Sequence, residues 1–204
     1  MIVVVEGPSG AGKTTWCRTF AGAHAFLEEL PNHSIVPDVP AARARFWVER
    51  NVARWQRIIE RERRDGLVVV DTDPLKLHYV WTLWRSGQTS EAEWALQRDA
   101  SRAAFGAGRY ALADLFLVAD PDAATLRAHR DSDVTRTRRN FDRHVRLRGS
   151  LLRWYAAIDQ LEPGRVVFGL PTTGLSPELL VLGPRRERSG AVLFDRLLAA
   201  LDQL

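Results

Sequence analysis

Short apolar runs alternate with longer amphipathic stretches along this chain. Runs of β-branched residues are typical of strands buried in a parallel sheet. Stretches with an apolar residue at every third or fourth position are typical of helices that cover such a sheet. The strands are predicted at residues 2–5, 34–36, 67–70, 115–118 and 166–168, and the helices at 14–20, 41–64, 75–85, 90–105, 122–129, 141–161 and 191–204. This pattern predicts an α/β fold with a parallel sheet of about five strands flanked by helices.

Two local signals add detail to these elements. Ser90 and Glu93 have the spacing of a capping box, which predicts that the helix over 90–105 begins after Ser90. Residues 169–189 are rich in proline and glycine, and within them residues 179–182 fit either a short edge strand or a packed loop.

Composition limits the class of protein further. The 204 residues are expected to form one domain over 1–204. No apolar run approaches the length of a membrane span, and the first strand begins too early to follow a leader, so we expect a cytoplasmic protein with no membrane partner. The single cysteine, Cys17, fits a reducing compartment. The net charge of +4 comes almost wholly from arginine, which alone does not indicate nucleic-acid binding. The sequence leaves open whether the protein forms a homodimer.

The segment from Gly7 to Thr14 has the spacing of a phosphate-binding P-loop, with glycines at 7 and 12 followed by Lys13 and Thr14. It lies between a predicted strand and a predicted helix, so its backbone N–H groups can surround an anion. Lys13 would bind the outer phosphates of ATP, and the Thr14 hydroxyl would bind Mg²⁺. The predicted ATP-binding residues here are Gly7, Ser9, Gly10, Ala11, Gly12, Lys13, Thr14 and Thr15.

Three carboxylates follow predicted strands, where ligands bind in open parallel sheets. Asp71 ends an apolar strand and is predicted to hold Mg²⁺ with Thr14 or to accept a proton. Asp73 lies two residues later; it is predicted either to act as a base or to cap the next helix. Asp38, after the predicted second strand, is either a general base or a turn residue.

An arginine-rich segment follows the strand at 115–118. Residues 130–140 lack apolar periodicity and are predicted to form a mobile lid. Arg136 and Arg139, with Arg138, would bring positive charge over a transferring phosphoryl group. Arg127, just before the lid, would contact the nucleotide. A solvated helix face and a nucleic-acid patch are the competing interpretations.

The segment 6–15 resembles the opening of thymidylate kinases and related P-loop nucleoside and nucleotide kinases, and residues 70–73 resemble a segment of nicotinamide riboside kinases. The resemblance implies a P-loop NTPase three-layer sandwich with an arginine-rich lid. It also implies ATP and Mg²⁺ as cofactors. Where thymidylate kinases have an arginine after the acid, this chain has Thr72, which favours a nucleoside over a nucleoside monophosphate.

The residues together predict a kinase that transfers the γ-phosphoryl group of ATP to a hydroxyl of a small molecule, most simply a nucleoside or a nucleoside-like compound. An antibiotic O-phosphotransferase similar to chloramphenicol phosphotransferase is the main alternative. A nucleoside monophosphate kinase, a P-loop ATPase switch and a nucleic-acid end kinase stay open.

Overall fold

The computed structural model describes residues 1–29, 33–132, 141–181 and 187–203. These residues form five strands and eight α-helices. The strands are β1 (Ile2–Glu6), β2 (Ala25–Phe26), β3 (Val68–Asp71), β4 (Leu115–Val118) and β5 (Val166–Phe168). The helices are α1 (Lys13–Phe20), α2 (Pro40–Asp65), α3 (Leu77–Arg85), α4 (Glu91–Gly106), α5 (Ala123–Ser132), α6 (Phe141–Leu161), α7 (Pro177–Val181) and α8 (Ala191–Leu201).

The five strands make one parallel sheet in the order β2-β3-β1-β4-β5. The predicted α/β class is therefore confirmed. β1 lies in the middle, with Val3 paired with Val69 on one side and with Leu115 on the other. Because all strands run the same way, the loops that follow β1, β2 and β3 meet at one edge of the sheet, where ligands bind in folds of this kind.

Both faces of the sheet are covered, since successive side chains of a strand point to opposite faces. On one face Val4, Val70 and Phe116 belong to the larger core, which includes residues of α2, α3, α4, α6 and α8. On the other face Val3, Val5 and Leu117 pack with Trp16 and Cys17 of α1. Burial raises the pKa of the Cys17 thiol to about 12, so this cysteine is an inert part of the core.

The predicted second strand at residues 34–36 is wrong. Residues His33–Ile35 form a short 3₁₀ turn, and Ile35 is exposed. The strand that pairs with β3 is β2, only two residues long, with Ala25 beside Val69. Two apolar residues, Ile35 and Val36, closed by Pro37 are too few to distinguish a strand from an exposed turn.

The C-terminal part of the chain also differs from expectation. Residues Pro177–Val181 form the short helix α7, where a strand or a loop was predicted over 179–182. Pro177 supplies a backbone angle suited to a first helical turn, and Ser176 Oγ accepts a hydrogen bond from Leu179 N at 3.4 Å. The capping box of α4 is confirmed, because Glu93 N donates to Ser90 Oγ at 3.2 Å. Among the described helices, none is both long and apolar enough to cross a bilayer.

We expect Gly7→Ala to destabilise the fold strongly. Gly7 has φ +147°, and a Cβ there would lie 2.8 Å from both the Cβ and the carbonyl oxygen of Ala119. The overlap and the unfavourable backbone together should cost about 2–4 kcal/mol in the free energy of unfolding. Gly66→Ala is the matched control, because Gly66 has φ +74° with open space around it. In urea, the free energy of unfolding should fall clearly less for Gly66→Ala than for Gly7→Ala. Equal losses in the two variants would contradict the role of the contact with Ala119.

Candidate active site

The loop between β1 and α1 leaves the first turn of α1 open for an anion. Gly12 precedes the helix in the left-handed conformation, φ 83°, and provides no side-chain cap. The first turn of α1 contains no acidic residue. Since the first N–H groups of a helix have no intrahelical partner, they can donate to phosphate oxygens here. The predicted ATP-binding residues 7–15 thus form the expected strand–loop–helix arrangement.

The Lys13 ammonium lies across the same loop. Its Nζ donates to the carbonyl oxygens of Gly7 at 2.7 Å and Pro8 at 3.1 Å, and lies 3.7 Å from Glu6 Oε1. The side chain is 14% exposed. A lysine with backbone carbonyl partners can exchange them for the stronger charge of a phosphate.

Thr14 and Asp71 are brought together as the sequence predicts. Thr14 Oγ1 donates to Asp71 Oδ2 at 2.7 Å, linking the start of α1 to the end of β3. Asp71 is only 2% exposed. A hydroxyl and a carboxylate are hard oxygen ligands, and Mg²⁺ in nucleotide sites is held by one or two such groups together with phosphates. The residues present therefore fit the predicted Mg²⁺.

Asp73 belongs to a buried polar cluster behind the P-loop, which we call the Glu6 cluster: Glu6, Asp73, His78 and Tyr155. Glu6 accepts hydrogen bonds from Gly7 N and Asp73 N, both at 2.8 Å. Asp73 Oδ1 accepts from Leu75 N at 2.9 Å, and Oδ2 accepts from the Tyr155 hydroxyl at 3.0 Å. The Asp73 carboxylate thus orders the β3–α3 loop, but it does not cap α3, because Lys76 precedes that helix and no side chain caps it.

His78 lies between the two carboxylates of the Glu6 cluster, 3.6 Å from Glu6 Oε2 and 3.8 Å from Asp73 Oδ2. Burial lowers the pKa of His78, and it raises the pKa of Asp73. Burial alone would also raise the pKa of Glu6, but the nearby Lys13 charge and the Gly7 N–H hold it below its usual value. Glu6 is therefore the ionised member that faces Lys13.

The buried histidine should make stability depend on pH. A lowered pKa means that protonation costs stability in the folded state, so the contribution of His78 is complete above about pH 6.5 and is lost as pH falls through its folded pKa. We expect the free energy of unfolding in urea to fall as the pH drops below about 6.5. His78→Gln should reduce this fall, because it removes the buried group that titrates. An unchanged fall in the His78 variant would contradict this expectation.

The structure adds a carboxylate that the sequence did not single out. Glu28 lies two residues after the end of β2 and beside the loop after β3, at the same edge of the sheet as Asp71. Its Oε1 accepts a hydrogen bond from Lys76 Nζ at 2.6 Å, and its Oε2 accepts one from Thr72 Oγ1 at 3.4 Å. Burial alone would raise the pKa of Glu28, but the Lys76 ammonium outweighs it and lowers the pKa. Glu28 is one-third exposed and ionised, as a proton acceptor must be.

Arg54 of α2 holds the loop between β3 and α3 through hydrogen bonds to its backbone. Its Nη2 donates to Asp71 O at 2.7 Å and its Nη1 to Thr72 O at 3.1 Å, while the residue is 3% exposed. The loop is strained, because Thr72 has φ 71° and Lys76 has φ 53°. Each such non-glycine residue costs on the order of 1–3 kcal/mol. Arg54 holds the carbonyl groups of this strained loop in place.

Other predicted residues lie away from these contacts or outside the described residues. Asp38 follows the 3₁₀ turn instead of a strand, and its carbonyl oxygen accepts a hydrogen bond from Arg43 at 3.2 Å. Its placement at a strand end was wrong, so the reason for choosing it as a base no longer holds. Arg127 is exposed on α5. Arg136, Arg138 and Arg139, and with them most of the predicted lid, lie outside the described residues.

Sheet order, P-loop and the Thr14–Asp71 contact define the fold as that of the P-loop nucleoside and nucleotide kinases. The structure is similar to deoxyadenosine kinase from M. mycoides with bound dATP, with a TM-score of 0.56 and 10% identity over 82% of this chain and 90% of that one. The same kinase with products bound matches over 100% of both chains, again with a TM-score of 0.56.

A second similar structure is the NadR protein in complex with NR. It has a TM-score of 0.56 and 16% identity, and the match covers 98% of this chain and 51% of that chain. The sequence matches no protein-family model and no curated protein. At these identities the likeness establishes the fold.

Proposed function

We propose that this protein is an ATP- and Mg²⁺-dependent kinase that phosphorylates a hydroxyl group of a nucleoside or a nucleoside-like compound. The observation that carries the proposal is the position of Glu28. A partly exposed, ionised carboxylate lies beside the loop that carries Asp71, and Asp71 bonds to Thr14 of the P-loop helix. A phosphate donor on the P-loop and a hydroxyl on Glu28 would thus lie on the same edge of the sheet.

The chain's own groups divide the reaction between them. The N–H groups of the P-loop and the Lys13 ammonium bind the β- and γ-phosphates of ATP. Glu28 accepts the proton of the acceptor hydroxyl. The hydroxyl oxygen then bonds to the γ-phosphorus of ATP as the bond between that phosphorus and ADP breaks. Arg136 and Arg139 are proposed to stabilise the negative charge on the transferring group. Thr14 and Asp71 would hold Mg²⁺, which when bound would neutralise charge on the phosphates.

Glu28 replaces Asp38 and Asp73 as our choice of base. Asp73 is 3% exposed, and both of its carboxylate oxygens already accept hydrogen bonds. Asp38 follows no strand. The nucleoside acceptor is supported by the fold shared with a deoxyadenosine kinase.

The test is incubation with Mg·ATP and a panel of nucleosides, nucleoside monophosphates, nicotinamide riboside and hydroxyl-bearing antibiotics, with products identified by mass. A nucleoside that gains one phosphate, with release of one ADP, would support the proposal. Phosphorylation of an antibiotic alone would favour the antibiotic O-phosphotransferase. ATP hydrolysis that ignores every acceptor would contradict a kinase and favour the ATPase switch.

A further inference from the structure

Lys76 lies next to the proposed base in a chain that has only one other lysine, Lys13. Its Nζ donates to Glu28 Oε1 at 2.6 Å, and both side chains are 33% exposed. An ammonium has three N–H donors. Within the described part of the chain Glu28 receives one of them, which leaves two donors next to the base.

The backbone around Lys76 is held in an unfavourable conformation. Thr72 and Lys76 are the non-glycine residues with positive φ among the residues described. Both donate a side-chain hydrogen bond to Glu28. Arg54 fixes the same loop through the carbonyl oxygens of Asp71 and Thr72. Strained residues persist where the surrounding structure forces them and are concentrated at functional sites. Here the strain brings two donors onto one carboxylate.

We propose that Lys76 binds the acceptor, by donating to an oxygen two carbons away from the hydroxyl oxygen that Glu28 deprotonates. This rests on the proposed function. Glu28 and Lys76 together offer a hydrogen-bond acceptor beside a donor, with no net charge. A hydroxyl beside an ether or hydroxyl oxygen offers the complementary pair at a similar separation. The substrate class is therefore the 1,2-dioxygenated alcohols, such as a nucleoside whose 5′-hydroxyl lies near the ring oxygen.

The first experiment removes the donor and the substrate oxygen in turn. The substrates are the nucleoside that the wild-type protein phosphorylates fastest and its carbocyclic analogue, in which a methylene replaces the ring oxygen. Wild type should prefer the nucleoside by roughly 10- to 100-fold in kcat/KM, the range for a hydrogen bond to a charged group. Lys76→Met should abolish this preference, and Lys76→Arg should retain part of it.

The other outcomes of this experiment separate a failure of the Lys76 inference from a failure of the proposed kinase function. If Lys76→Met slows both substrates equally, Lys76 only orients Glu28 and the inference is wrong. If it slows neither, Lys76 has no part in acceptor binding. If wild type phosphorylates no compound of the panel, the proposed function itself fails and this inference fails with it.

Lys76→Gly controls for misfolding. Glycine adopts φ 53° without strain, and this relief offsets the loss of the ion pair with Glu28, so the variant should unfold at nearly the same temperature as wild type. It also lacks the donor and should lose the preference for the nucleoside. Loss of the preference together with unchanged thermal unfolding would separate substrate binding from a structural role; a retained preference would overturn the proposal.

Because the chain has two lysines, their side chains can be observed separately. Protein labelled with ¹³C at the lysine ε-carbon should give two NMR signals, assigned with Lys76→Arg. Mg·ATP should shift the Lys13 signal, and the accepted nucleoside should shift the Lys76 signal. A phosphorylated nucleoside that leaves the Lys76 signal unmoved would contradict the proposal while leaving the kinase function intact.

Discussion

Lys13→Met should lower kcat by about 10³-fold, the loss typical of removing a group that stabilises developing charge. Methionine keeps most of the length and apolar volume of the lysine stem but provides no donor. The ammonium donates to the carbonyl oxygens of Gly7 and Pro8, so it is directed across the phosphate-binding loop. The measurement is initial velocity of ADP release with the accepted substrate, together with the dissociation constant of ATP.

Two comparisons keep a loss in the Lys13 variant interpretable. Arg18→Met removes a positive charge from the last turn of the same helix, where Arg18 is exposed, and should leave the rate unchanged. Thermal unfolding checks the fold, because Glu6 loses the ammonium at 3.7 Å but keeps its hydrogen bonds from Gly7 N and Asp73 N. A folded Lys13 variant that turns over at the wild-type rate would refute the assignment of the loop.

The phosphate-binding half of the site could be predicted because its parts are local in sequence. A buried strand, a glycine-rich loop and a helix follow one another within residues 2–20, so spacing alone defines the P-loop. Asp71 was also predictable, since β3 is a clear apolar strand and its carboxyl end must lie beside that of β1. These inferences need only the strand pattern and the direction of the sheet.

The acceptor half could not be predicted, because its signals are weak or arise only in the fold. Glu28 follows a strand of two residues, which is too short to show periodicity. The nearby apolar pair Ile35 and Val36 led instead to a predicted strand that ends before Asp38. Arg54 bonds to carbonyl groups in another element, and backbone partners leave no trace in sequence. One signal was available: Arg54 falls between Asn51 and Ile58 on the buried face of α2, where a charge requires partners.

Glu28→Gln should lower kcat by about 10²- to 10⁴-fold, the range for loss of a general base. The amide retains an oxygen that can accept from Lys76, but it can no longer take a proton. Because Glu28 lies on the acceptor side and makes no contact with the P-loop among the described hydrogen bonds, the KM for ATP should stay unchanged. Steady-state kinetics with ATP and the acceptor varied separately measure both quantities.

The neighbouring residue provides the matched control. Glu29 has the same side chain one position later, but it pairs with Arg57 at 2.8 and 3.0 Å and is more exposed, at 56%. An exposed ion pair contributes at most about 1 kcal/mol to stability. Glu29→Gln should therefore leave both kcat and folding nearly intact. Equal losses in the two variants would mean that the segment after β2 needs negative charge for its structure, whereas a loss confined to Glu28→Gln would identify Glu28 as the group that receives the proton.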